Sequence, residues 1–138
     1  MEDNFTVTLL TPDSVKLEME ASEIRGINPS GVFAVQGGHT ALLTNLTVAS
    51  VEIIDPEGTM QQVAVTGGFI QVKDTDVIIL ARSAELPGEI DLERAEAAKR
   101  RAENRLGPLD KDDDIDFARA KSSLARALIR LSVAGGSA

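Results

Sequence analysis

Two sets of three arginines stand in register in the C-terminal third of this chain. Ile90–Leu106 reads IDLERAEAAKRRAENRL and Ile115–Leu131 reads IDFARAKSSLARALIRL, so the pattern I-D-x-x-R-A-x-x-x-x-x-R-A-x-x-R-L occurs twice, 25 residues apart. Guanidinium groups at this density suit oxyanions, either carboxylates or phosphates held by charge-assisted hydrogen bonds. At about 100° per residue, Arg94, Arg101 and Arg105 fall within roughly 40° of one another on a helix, and Arg119, Arg126 and Arg130 do the same. Arg101, Arg105, Arg126 and Arg130 have no acid three or four positions away, and Arg101/Arg105 and Arg126/Arg130 are like-charge pairs at i,i+4. Each such pair costs a few tenths of a kcal/mol in an isolated helix. Something outside each helix must therefore neutralise them, either an acid elsewhere in the fold or an anionic ligand.

Other catalytic chemistry has little to work with. The single histidine, His39, lies in QGGHTALLT, and there is no cysteine, tyrosine or G-x-S-x-G element to build a nucleophile around it. The absence of G-x-x-x-x-G-K-[ST] removes nucleotide hydrolysis through a phosphate-cradling loop. The acidic run DKDDD lacks the layout of a calcium loop and reads as a solvated turn ahead of a helix. The paired glycines Gly67 and Gly68 mark a bulge or a close backbone approach.

The arginines need a scaffold, and the sequence supplies one in two parts. Up to about Ala84 the runs FTVTLL, SVKLEME, GVFAVQ, VASVEII, QQVAVTG, FIQVK and DVIILAR follow one another, separated by Gly, Pro and Asp turns. Short β-branched runs at that spacing predict an antiparallel sandwich or flattened barrel. With 43% hydrophobic residues, four Phe and neither Trp nor Tyr, its core must be aliphatic. After Pro87 and Gly88 the period becomes 3.6. Asp91 is placed to cap a first helix, Gly107 and Pro108 to stop it, and Asp114 or Asp116 to begin a second. Small residues border each arginine stripe, Ala95, Ala98 and Ala102 with Leu106 on one arm, Ala120, Ser123 and Ala127 with Leu131 on the other, so the arms can approach closely. Residues 1–86 hold 12 acids and 4 bases, residues 87–138 hold 10 of each, and the whole net charge of −8 falls on the sandwich. The expected fold is α+β: a β-sandwich over 1–86 and an antiparallel helical hairpin over 87–138.

MEDNFTVTLL has no basic leader, and no apolar run approaches the ~20 residues of a membrane span, which predicts a soluble, non-exported protein. Zero cysteines exclude thiolate metal sites, and the scarcity of aromatics argues against base-stacking nucleic-acid platforms.

Taken in order, VTLLTPD, SGVFAVQGGHTALLT, VTGGFIQV, VIILARSAE, IDLERAEAAKRRAENRL and DIDFARA with its following RLSV resemble the epsilon subunit of bacterial F-type ATP synthase along essentially the whole chain. The resemblance implies about ten strands, a two-helix hairpin and a non-catalytic subunit of the central stalk at the cytoplasmic face of the bacterial membrane. It implies a sandwich that contacts the gamma subunit and the c-subunit ring, and a hairpin that either folds back or extends toward the alpha and beta subunits and restrains ATP hydrolysis. It implies no required cofactor, with ATP as a candidate regulatory ligand of the folded hairpin. The positions carried over for ATP are Glu85, Ile90, Asp91, Arg94, Arg101, Arg126 and Arg130, and those for partner contact are Val32, Phe33, Val35 and His39. Where the family loop reads like G-E-L-G-I-x-P-G-H, this chain has GVFAVQGGH, with apolar Val32 at an acidic position, Ala34 at a glycine and Gly37 at a proline. The four residues Val32 to Val35 are expected to form an exposed apolar loop. A reading of another class, a free-standing sandwich module with a fixed helical arm, explains the composition but not the repeat.

Overall fold

A computed structural model describes residues 4–38, 41–73, 75–106 and 114–135. Eight strands precede the helices: β1 Phe5–Leu10, β2 Val15–Ala21, β3 Glu23–Asn28, β4 Gly31–Gln36, β5 Leu42–Ile54, β6 Met60–Lys73, β7 Asp76–Ala81 and β8 Ala84–Glu85. They hydrogen-bond in the order β2-β1-β7-β6-β5-β3-β4, with β8 added to β6. The ladders are antiparallel except for β1 on β7, which is parallel because the chain returns to its first strand after a long excursion.

The difference between the ten strands implied by resemblance and the eight described lies in β5 and β6, 13 and 14 residues long. In β6 the core residues are Val63 and Val65 before Gly67, but Ile70 and Val72 after Gly68; in β5 the inward set changes likewise from Leu46 to Val51 and Ile53. Each long strand thus serves both layers, turning opposite faces to the core in its two halves. Gly67 and Gly68 permit the change with φ of 114° and 146°, values that favour glycine. The β5–β6 offset is the same at Leu46↔Gly68 and at Val48↔Thr66, so the pair is not a bulge. It is a close approach: a Cβ on Gly68 would lie 2.0 Å from the Leu80 carbonyl oxygen.

The core is aliphatic, as the composition requires, and Val7, Ile24, Ile53, Val63, Val65, Ile70 and Ile79 are fully enclosed in it. Val32 to Val35 are not an exposed loop. They form β4, and strand alternation turns Val32 outward at 79% exposure and Val35 inward at 1%. Phe33 packs against the core, its ring filling the space a Cβ on Gly26 would need.

A single 3-10 turn, Pro87–Glu89, leads to α1 (Leu92–Arg105) and, after the connection, α2 (Asp114–Ala134). Asp91 caps α1, its Oδ1 accepting from the Arg94 amide at 3.1 Å. The small-residue stripes form the helix–helix interface, with Ala95, Ala102, Ala120 and Ala127 all buried. α2 lies against β5, β6 and the 3-10 turn, while α1 rests chiefly on α2. The buried hairpin residues, Val133 included, stand outside the sandwich core. The proposed stop at Gly107 and Pro108, residues 110–113 of the DKDDD run and His39 lie outside the described residues, while the last residue of that run, Asp114, opens α2.

Candidate functional site

Packing along alanine brings the arginine stripes to the same side of the hairpin, where two hollows adjoin. The larger, about 380 Å³, opens where the 3-10 turn and α1 meet the end of β8, and among its walls are Glu85, Glu89, Asp91, Arg94, Arg101 and Arg130. The smaller, about 160 Å³, lies between the helices and is lined by Arg101, Arg105, Arg126 and Arg130 together with Ala98, Ala102 and Ser123. Arg101, Arg130 and Ala98 border both. The larger hollow is within the size range of small-molecule sites.

Of the seven positions carried over for ATP, six line these hollows. Ile90 lines neither; it is half-buried at the C-cap of the 3-10 turn. Arg119, first in the second stripe, is exposed and lines neither. Arg105, Glu89 and Ser123 are additional lining residues. Arg105 was visible in the repeat, whereas Glu89 had only a weak signal, an acid placed three residues after Leu86 where it can cap a turn.

The charges divide the larger hollow into an acidic rim of Glu85, Glu89 and Asp91 and a basic wall of Arg94, Arg101 and Arg130. Arg130 Nε donates to Glu85 Oε1 at 2.5 Å, so an acid of the sandwich neutralises one of the arginines that lacked a helical partner. Arg126 Nη2 donates to Ser123 Oγ at 3.2 Å. Among the described residues, Arg94, Arg101, Arg105 and Arg126 make no salt bridge. The Glu89 carboxylate accepts from Lys16 Nζ at 2.8 Å and from the Leu86 amide at 2.9 Å. These two donors, Lys16 first, hold its pKa below the usual carboxylate value.

A phosphate oxygen in these hollows would meet several guanidinium groups from two helices, four of them without a salt bridge among the described residues. The arrangement can bind an anion. Among the described residues no acidic or histidine cluster is placed to hold a metal ion.

Comparison with known proteins gives the chain its family. The family model described as ATP synthase, Delta/Epsilon chain, beta-sandwich domain matches residues 4–87, and the corresponding long alpha-helix domain matches residues 89–135. The chain belongs to the ATP synthase delta/epsilon family. An ATP synthase epsilon chain of Halalkalibacterium halodurans is 43% identical over 129 residues, covering 94% of this chain and 96% of the relative. One of Desulforapulum autotrophicum is 38% identical over 133 residues, covering 96% and 97%. In fold, this epsilon-type subunit is similar to a chain of Euglena gracilis mitochondrial ATP synthase, with a TM-score of 0.82 at 23% identity over 97% of this chain and 82% of that one. As a member of this family it is a structural and regulatory subunit, not a catalytic one.

Proposed function

We propose that this epsilon-type chain is a rotor subunit of a bacterial ATP synthase, seated in the central stalk as a peripheral component at the cytoplasmic face of the membrane. Its sandwich docks on the gamma subunit and the c ring. Its hairpin is the regulatory arm, folded and ATP-bound in one state, extended toward the alpha and beta subunits and restraining ATP hydrolysis in the other. The observation that carries the regulatory reading is the pair of arginine-lined hollows shared by both helices. In this reading Arg94, Arg101, Arg126 and Arg130 take the phosphates, while Asp91 and Glu85 position arginines or accept from the nucleoside. Deleting residues 88–138 raises ATP hydrolysis by the assembled complex if the hairpin inhibits; an unchanged rate removes that role.

Of the partner-contact positions Val32, Phe33, Val35 and His39, Val32 is exposed beside its cross-strand neighbour Ile27 at an edge of the sheet. A larger apolar face lies on β5, β6 and β7. Phe69 is 51% exposed opposite Leu80 at 50%, with Leu43 and Ile78 exposed on the same face. Clustered exposed apolar side chains mark an interaction surface, and gamma is the partner we assign to this face. A Phe69→Asp/Leu80→Asp double variant that still assembles with gamma as the wild type does would move the contact elsewhere.

One observation favours a second reading, in which the arginines are structural: Glu85 already neutralises Arg130 without any ligand. On that reading Arg126→Ala leaves the response to ATP unchanged.

A further inference from the structure

We propose that Lys16, on β2, is a positioning residue for the anion site of the hairpin, acting by keeping the Glu89 carboxylate away from the site's arginines. The proposal rests on the nucleotide reading above.

Glu89 shares the larger hollow with Arg94, Arg101 and Arg130. Its carboxylate is held back by two bonds, one oxygen to Lys16 Nζ at 2.8 Å and the other to the Leu86 amide at 2.9 Å. The same hollow shows what a carboxylate without such a restraint does, since Glu85 pairs with Arg130. Lys16 lies 73 residues before Glu89 and is not among the residues lining the hollow; its direct contact with the site is through Glu89. Were Lys16 neutral, Glu89 would keep its charge, lose its counter-ion and be free to turn toward the arginines. An incoming phosphate would then meet a competing anion at the rim. The 3-10 turn that carries Glu89 also joins the sandwich to the helices, so β2 sets the electrostatics of a site built mainly by the hairpin.

A merely structural latch and an electrostatic guard make different predictions for two single variants and their combination. Both Lys16→Ala and Glu89→Gln break the ion pair, but only Lys16→Ala leaves an uncompensated carboxylate in the hollow, while Gln keeps an acceptor for the Leu86 amide. ATP is titrated calorimetrically into the full chain. Lys16→Ala is expected to bind about two- to fivefold more weakly than wild type, the span an exposed ion pair supplies, and adding Glu89→Gln to it is expected to restore affinity. If Lys16→Ala binds as wild type, or if the double variant binds no tighter than Lys16→Ala alone, the guard role is wrong. Wild-type chain that gives no heat with ATP fails differently: it removes the nucleotide reading itself.

Discussion

Valine, isoleucine and leucine fill the sandwich, whereas alanine fills the interface between the helices. The sandwich core is continuous and draws on strands from both ends of the domain, and the wall it shares with the hairpin is supplied mainly by α2. Buried aliphatic area at about 25 cal/mol per Å² makes the first region hard to open, while alanine contacts give the second little per residue. The hairpin compensates with polar anchors at its base, Arg130 to Glu85 and Glu89 to Lys16. It also rests over an imperfect seat. The Ser50 hydroxyl on β5 is buried with no hydrogen-bond partner among the described residues, opposite Ala64, which faces away from the core and is nevertheless 2% exposed. One chain thus carries a rigid platform and an arm whose docking free energy is small enough for a ligand or partner to outweigh.

Substitutions can break that contrast from either side. Gly68→Val strikes the platform hardest, because the new Cβ would meet the Leu80 carbonyl and the φ of 146° strains any side chain. A loss of about 3 kcal/mol or more is expected in urea unfolding followed by circular dichroism. Glu85→Gln acts on the arm: Arg130 loses its counter-ion, and proteolysis within the hairpin should rise about fivefold, the equivalent of about 1 kcal/mol, with the sandwich transition in place. Ser50→Ala should do the reverse, protecting the hairpin by about 1 kcal/mol or less since it removes a buried group with no partner. The smallest effect belongs to a chain ending at Leu86. It should unfold in urea at nearly the full-length midpoint, because no helical residue belongs to the sandwich core; a large drop would make the two regions one cooperative unit.

Much of this was legible in the sequence. The strand runs, the aliphatic core, the Asp91 cap and the alanine interface follow from local periodicity, and the arginine stripes from a repeat that needs no tertiary knowledge. β3 was missed because EIRGIN interrupts its alternation with charges and a glycine, and its place in the sheet comes from pairing with β4 and β5. Counting β6 as two runs reflected a physical event, the exchange of inward faces at Gly67 and Gly68, but period-two reading cannot say that the ladder continues through it. The run GVFAVQ reads as a strand, and strand alternation, not its run of four apolar residues, is what places Val35 in the core and Val32 outside it. The partner of Arg130 was beyond reach, since Glu85 lies 45 residues away and only the docking of α2 beside β8 brings them together. Glu89 and Lys16 escaped for the same reason.

The contrast between platform and arm matters only if a ligand acts on the arm, and one titration decides that most directly. Wild-type chain and Arg126→Ala are each titrated with ATP up to millimolar concentration in a calorimeter, with protease protection of the hairpin followed in parallel. Arg126 lines the inter-helix hollow and, among the described residues, bonds only Ser123, so its removal takes a cation from the site while leaving the Glu85–Arg130 anchor intact. Saturable heat and protection in the wild type, both clearly weakened in Arg126→Ala, are the expected result. Wild-type protein that shows neither, or a variant that matches it in both, would contradict the nucleotide site and leave the repeated arginines as structural groups.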